Sequence, residues 1–289
     1  MTIDYSIRRW VKHVPRRQWE REEDSWDGIE EAIPPAIVAS RPLAEVHRLD
    51  LALFVVFEEA SLRVSGSLTR LAPDTDTLNF CAQQTLDEAR HLEMFQRRLR
   101  LTCEALGDPA RAATATQAVM SPPLKRFISR CYDVVDRGEF VEALTLMNLI
   151  FEGLAYPLYA YEERYWRPID PFLASLVHAA FADESRHVGY GAALVKRALD
   201  ADPARRERVQ ALCTEASLAM REVFDYYVRT FVALFDAVAR KHGDLFENAE
   251  FAPGRTIAAT SYEEQVRTIQ DSMQREHACL ISRAGLSHG

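Results

Sequence analysis

The sequence predicts an all-α protein built on a four-helix bundle with a dimetal site, extra flanking helices and an N-terminal arm. Three observations predict it. Asp-Glu-X-Arg-His occurs twice, at Asp87-Glu88-Ala89-Arg90-His91 and at Asp183-Glu184-Ser185-Arg186-His187. Glu and His three apart on a helix share one face and reach the same metal ion, so two copies on two helices can hold two ions. Further glutamates stand inside apolar runs: Glu152 in Leu149-Ile150-Phe151-Glu152-Gly153-Leu154-Ala155, and Glu58 or Glu59 in Phe54-Val55-Val56-Phe57-Glu58-Glu59-Ala60. Finally, Gly and Pro are few, at 11 and 13, and cluster in short connections between helically spaced apolar residues.

The elements follow in order. Residues 1–42 are polar and aromatic, with Trp10, Trp19 and Trp26 among arginines, then Pro34-Pro35. They are expected to form an arm across the bundle or a partner subunit. Apolar spacing is helical over 43–71, and Pro73 ends that helix. Asp74 and Asp76 offer N-caps for a second helix, which carries the first motif to about Leu106 and stops at Gly107. Pro122-Pro123 opens a short helix over 123–136, ended by Gly138. A long helix over 139–166 carries Glu152. Pro168 and Pro171 mark the turn into a helix over 170–199 with the second motif. Pro203 opens another, to about His242, and a loop with Pro253-Gly254 leads to a last helix over 261–284. The division is an arm at 1–42, a metal-binding bundle at 43–200, and C-terminal helices at 201–289 packing on it.

A carboxylate-bridged dimetal site needs a Glu from each of two helices besides the two Glu-X-X-His pairs. Glu152 supplies one, because a carboxylate is costly to bury unless it is paired or metal-bound. Glu58 or Glu59 supplies the other. Only one of these neighbours can face the interior squarely, being about 100° apart on a helix. The ordered set is Glu58 (or Glu59), Glu88 with His91, Glu152, and Glu184 with His187. Four carboxylates neutralise two divalent ions, and mixed oxygen and nitrogen donors suit iron or manganese better than zinc. Two Fe ions, or a Mn/Fe pair, are therefore expected. Asp87 and Asp183 are expected to orient the imidazoles across the motifs, Asp183 to His91 and Asp87 to His187, with Arg90 and Arg186 neutralising them.

This ordered set resembles the ferritin-like diiron carboxylate oxidases and oxygenases. The doubled Asp-Glu-X-Arg-His is similar to the hydroxylase subunits of bacterial multicomponent monooxygenases, which act on methane, toluene and phenol. Glu58 to Glu88 is thirty residues, a spacing that family uses, and Ser65-Gly66 falls where it tends to have Thr-Gly, which favours Glu58. Phe151-Glu152-Gly153-Leu154-Ala155 and the stretch from Asp183 to Gly191 resemble the ligand-binding oxidases related to the ribonucleotide reductase small subunit. The resemblance spans residues 45–200. There are departures. Phe95 stands where the reductase subunit has its radical tyrosine. Ser61 and Met147 stand where the ligand-binding oxidases form a Val–Tyr cross-link. Tyr156, followed by Pro157, replaces a monooxygenase threonine, and Ala180 replaces a histidine of arylamine N-oxygenases.

The resemblance implies an O2-activating oxidase or oxygenase that oxidises a small organic or acyl substrate through a peroxo-diiron intermediate. The alternative is a ferroxidase or iron-handling protein. Tyr156, one turn from Glu152, is the candidate catalytic proton or electron donor. Phe57, Phe95, Phe151, Tyr156, Tyr159, Phe181 and Tyr190 lie near the ligands in sequence, to line a pocket or fill the core. His178 is not expected to be a ligand. The 289-residue chain, 48% hydrophobic, is long enough for one substantial core, and a net charge of −8 disfavours nucleic acid. No run of eighteen apolar residues or signal-like N-terminus is present, so a cytoplasmic location without a membrane span is expected. Five cysteines without a CxxC spacing read as reduced thiols. Electrons are expected from an external reductase or ferredoxin, and a homodimer is expected.

Overall fold

The computed structural model describes residues 32–287. Most of the expected N-terminal arm, including Trp10, Trp19 and Trp26, lies outside the described residues. A short helix, α1 (Pro35–Ala39), precedes Ser40, whose hydroxyl accepts from the Leu43 N–H and caps α2 (Arg41–Leu71). Asp74 caps α3 (Thr75–Ala105) by accepting from Thr77 N–H at 2.7 Å. Gly107 follows α3 at φ 73°, a left-handed backbone that favours glycine over any residue with a Cβ.

The stretch between Gly107 and Pro122, expected as a connection, contains α4 (Ala112–Val119). Its eight residues are too few for a convincing apolar period, and it is held by Ala115 and Val119 turned into the core. Then come α5 (Pro122–Asp136) and α6 (Phe140–Leu144). The long helix expected over 139–166 runs from Phe140 to Trp166, but not in α geometry throughout. After α6 the chain winds as a π-helix over Thr145–Phe151 and returns to α geometry as α7 (Glu152–Trp166). α8 (Pro171–Ala201) is capped by Asp170, and α9 (Arg206–Lys241) and the short α10 (Gly243–Phe246) follow. The Pro253-Gly254 loop turns a small hairpin of β1 (Glu250–Ala252) and β2 (Arg255–Thr256), before α11 (Tyr262–Arg283).

Helix α2 packs along α3, α7 packs along α8, and the two pairs meet where α3 faces α8. This is the bundle. Helix α9 lies over α2, α5 and the π-helix, and α11 packs on α7 and α8, so the C-terminal helices cover the bundle rather than standing apart. One continuous apolar core runs through all of it. No described helix is long and apolar enough to cross a membrane. Cys81, Cys103, Cys131 and Cys213 are buried free thiols and Cys279 is an exposed one.

Candidate metal centre

Each bundle helix delivers part of one buried cluster. On α2, Glu58 turns inward among Phe54, Val55 and Phe57 and is 1% exposed. Its neighbour Glu59 points outward and pairs with Arg63 at 2.7 Å. On α3, Glu88 and His91 share a face, and on α8, Glu184 and His187 do the same. Glu152 opens α7 where the π-helix ends. A π-turn re-aims the face that follows it, and such turns recur at functional sites.

The six side chains form two overlapping groups. Glu58, Glu88, His91 and Glu184 make one; Glu88, Glu152, Glu184 and His187 make the other. Within each, one donor atom per residue lies within 4.8 Å of all the others. Glu88 and Glu184 belong to both, so they are the residues that two bound ions would share. Glu58 with His91, and Glu152 with His187, take the two ends.

The imidazoles are oriented by a crossed pair of aspartates. His91 Nε2 lies 3.1 Å from Asp183 Oδ2, and His187 Nε2 lies 3.2 Å from Asp87 Oδ2. With each Nε2–H given to a carboxylate, each Nδ1 keeps its lone pair and faces the cluster. The His91 Nδ1 is 3.4 Å from Glu58, and the His187 Nδ1 is 3.2 Å from Glu88. Arg90 and Arg186 both pair with Asp183, and Arg90 also reaches Asp87 at 3.2 Å. Beside these cations and His91, the Asp183 carboxyl is held far below the usual carboxylate range despite burial.

The inner donors are in the opposite condition. Burial, reinforced by the Glu184 carboxylate, pushes Glu88 up to about 8. Burial and Glu184 likewise hold Glu152 well above its ordinary value. Burial works against a charged His91, but Glu58 and Asp183 outweigh it and raise the imidazole. Glu88 Oε1 and Oε2, His91 Nδ1 and Glu184 Oε2 are buried with no hydrogen-bond partner among the described residues. Leaving such atoms unpaired costs several kcal/mol each on the order of a buried charge. Four inward carboxylates and two inward imidazoles, several of their donor atoms orphaned, fit two divalent cations and suit two iron ions or a Mn/Fe pair.

Two amides and a phenol complete the surroundings. Gln84 donates to Glu152 Oε1 at 2.7 Å, and Asn148 Nδ2 lies 3.2 Å from Glu152 Oε2. Asn148 also reaches Gln84 and the His187 carbonyl, both at 3.2 Å. Neither amide was singled out by the sequence reasoning. The signal was there: each stands one helical turn before a ligand, Gln84 before Glu88 and Asn148 before Glu152, on a face that must be buried. The phenol belongs to Tyr159, which donates to Glu58 Oε1 at 2.9 Å. Burial and the Glu58 carboxylate keep that phenol well above its usual range, so it stays a donor.

Tyr156, the expected proton or electron donor, is placed differently: its ring stacks on Phe181 at 4.5 Å, and the hydroxyl at the ligands is that of Tyr159. Among the other aromatics, Phe57 and Tyr159 line a cavity beside the site, and Phe95, Phe151 and Tyr190 stack on Phe54, Phe57 and Phe80. His178 is exposed and pairs with Glu163, away from the cluster.

A helical bundle with this doubled and crossed motif defines the ferritin-like dimetal carboxylate oxidoreductases. Within them, the chain belongs to the Methane/Phenol/Alkene Hydroxylase family, whose model matches residues 45–202, more than half of its length. The fold is similar to that of Protein 19 with aldehyde deformylating oxidase activity from Synechococcus (17% identity, 86% of this chain and 94% of that one, TM-score 0.58). It is also similar to R2-like ligand-binding oxidases. One with an aerobically reconstituted Mn/Fe cofactor has 18% identity, 89% and 87% coverage and TM-score 0.61. Another, after photoconversion, has 17% identity, 91% and 88% coverage and TM-score 0.62. No curated protein matches by sequence.

Proposed function

We propose that this chain is an O2-activating oxidase or oxygenase that uses two iron ions, or a Mn/Fe pair, to oxidise a small organic substrate. The observation that carries the reading is the sharing of Glu88 and Glu184 between two four-donor groups. Shared carboxylates bring two metals close enough to act as one unit, and such a pair supplies two electrons to O2 at once.

The protein's own residues set the conditions for that step. Glu58, His91, Glu152 and His187 hold the ends of the site, and Asp87 and Asp183 fix the imidazole orientation. Gln84 and Asn148 hold Glu152 by its two oxygens. Tyr159 keeps a proton on the Glu58 side of the cluster and holds the orientation of the Glu58 carboxylate. Surrounding apolar side chains exclude water, which strengthens every polar interaction inside. The proposal includes electrons drawn from a separate reductase or ferredoxin and a homodimeric, cytoplasmic enzyme.

The test loads the protein anaerobically with two ferrous ions per chain and mixes it with O2 in stopped flow. A transient visible absorbance that decays faster with a candidate substrate supports the proposal and serves as a substrate screen. Steady oxidation of many ferrous ions per chain, with no transient, overturns it in favour of a ferroxidase. Failure of Glu88→Ala to change metal-dependent O2 uptake would remove the dimetal site itself.

A further inference from the structure

Beside the cluster, α2, α7 and α9 enclose a cavity lined by Leu53, Phe54, Phe57, Leu158 and Phe224, with the Tyr159 ring on the side of Glu58. The space between its atoms, open mouth included, is about 390 Å³. At the far end stand two carboxyls, Asp50 and Glu162, both lining the cavity and within hydrogen-bonding reach of each other. Asp50 is 0% exposed and Glu162 is 9% exposed. Asp50 is eight residues before Glu58 on α2, so the pair lies about 12 Å along the helix axis from that ligand, at 1.5 Å per residue.

This pair lacks what buried carboxyls need. Trp166 Nε1–H donates to Asp50 Oδ2 at 2.5 Å, but Asp50 Oδ1 has no hydrogen-bond donor among the described residues. Burial pushes Asp50 up to about 7 and Glu162 well above its ordinary value, and no cation is among the causes to offset it. By contrast the buried Asp170 is met by Arg98 at 2.6 Å and His47 at 2.8 Å. An apolar cavity lined by two carboxyls without a counter-cation offers an anionic head group no positive partner and gives a hydroxyl little advantage. It suits a group bringing both positive charge and several N–H donors.

We propose that this cavity binds a compact primary amine, its ammonium group held by Asp50 and Glu162 and its apolar body lying along Phe54, Phe57 and Phe224 toward the Glu58 end of the metal centre. The inference rests on the oxidase reading only for calling the amine a substrate; the binding site stands on the cavity and the acid pair. Neither carboxyl is a metal ligand, so the recognition of the amine is separable from the loading of the metals.

The test is calorimetric titration of the iron-loaded protein with hexylamine, hexanol and hexanoate. Hexylamine is expected to bind at least tenfold more tightly than hexanol, with hexanoate weakest. Glu162→Gln, which keeps the shape but cannot become a carboxylate opposite an ammonium, should erase the preference at unchanged iron content. Phe224→Trp, which fills the cavity, should weaken all three. Equal or tighter binding of hexanol or hexanoate, no binding of any probe, or a preference that survives Glu162→Gln overturns the proposal. O2 uptake with reductant is measured on the same samples. Tight amine binding without uptake overturns the oxidase reading and leaves the amine site standing, whereas uptake without amine preference does the reverse.

Discussion

His91 on one motif gives its Nε2–H to Asp183 of the other, 3.1 Å away and ninety-two residues along the chain. His187 and Asp87 repeat the relation in the opposite direction at 3.2 Å. The two motifs therefore orient each other, and neither half of the bundle can set its imidazole without the second. The five-residue motif is longer than the Glu-X-X-His it contains because its first residue serves the partner helix.

Asp183→Asn tests that dependence. The amide oxygen can still accept from His91, but the charge that steadies the imidazole and balances Arg90 and Arg186 is gone. Metal affinity is expected to fall by roughly 10–100-fold, with helical content retained. Competition with a chelator measures it. Unchanged affinity would show that the aspartate is only a partner for the arginines.

Glu88 gives a prediction of opposite sign for the two states of the protein. Both its oxygens are buried and accept no hydrogen bond among the described residues, and burial, reinforced by neighbouring carboxylates, raises it. Folding the metal-free parent at neutral pH must either bury the Glu88 charge or take up a proton, and Glu88→Gln removes that cost, so that form should melt at a higher temperature, by roughly 1–3 kcal/mol of added stability. The same change removes a shared ligand, so the rise in melting temperature on adding ferrous iron should be lost. Paired thermal melts with and without metal decide it. A lower metal-free melting temperature would contradict that account.

The gathering of the six side chains into one cluster and the bundle itself were legible because both are periodic. Glu88 and His91 repeat as Glu184 and His187, and the long helices end at Gly107, Gly138 and proline turns much where the residues place them. The helix over Ala112–Val119 was not legible, since eight residues with two buried positions carry no usable period. Nor was the π-helix at Thr145–Phe151. Its residues read as an ordinary apolar helix, and the extra residue per turn is imposed by what packs against them. Tyr156 does lie one turn after Glu152 on α7, but which hydroxyl reaches a ligand depends on what faces α7 across the bundle: Phe181 meets Tyr156, and Glu58 of α2 meets Tyr159.

Gly191 tests the packing that sustains the π-helix. A Cβ at Gly191 would stand 2.4 Å from the Cβ of Asn148, close to the backbone and unable to swing away. Gly191→Ala should therefore push α8 off the π-helix and cost about 1–3 kcal/mol, weakening the hold of Asn148 on Glu152. Gly66→Ala on α2 is the control, since its Cβ would meet only Thr85 at 3.9 Å. There the helix should gain, by up to about 1 kcal/mol. Denaturant melts of both variants measure the difference. Equal tolerance at the two positions would mean that the close approach of α8 is not what shapes this segment.

Asp170 gives the protein an acid-sensitive lock away from the metals. Its carboxyl caps α8 by accepting from Leu173 N–H at 2.9 Å and meets both Arg98 and His47 in full burial. Burial alone would raise it, but His47 and Arg98 outweigh that and hold it below its ordinary value. Burial also lowers His47, with Asp170 only partly opposing. Both groups thus bind protons less readily folded than unfolded. Their contribution to stability is fully present above the unfolded histidine value of about 6.5. It is lost as pH falls, first through the range where unfolded His47 takes up a proton and then through the range below about 3.9 where unfolded Asp170 does. Asp170→Ala removes the cap and the buried carboxylate that meets Arg98, and should cost roughly 3–5 kcal/mol at neutral pH. His47→Gln should flatten the loss between neutral and mildly acid pH while leaving the steeper loss below it. Denaturant unfolding across pH 3 to 8, on order-of-magnitude grounds spanning roughly both unfolded values, reads both limbs. A variant profile parallel to that of the parent would show that neither group carries the acid sensitivity.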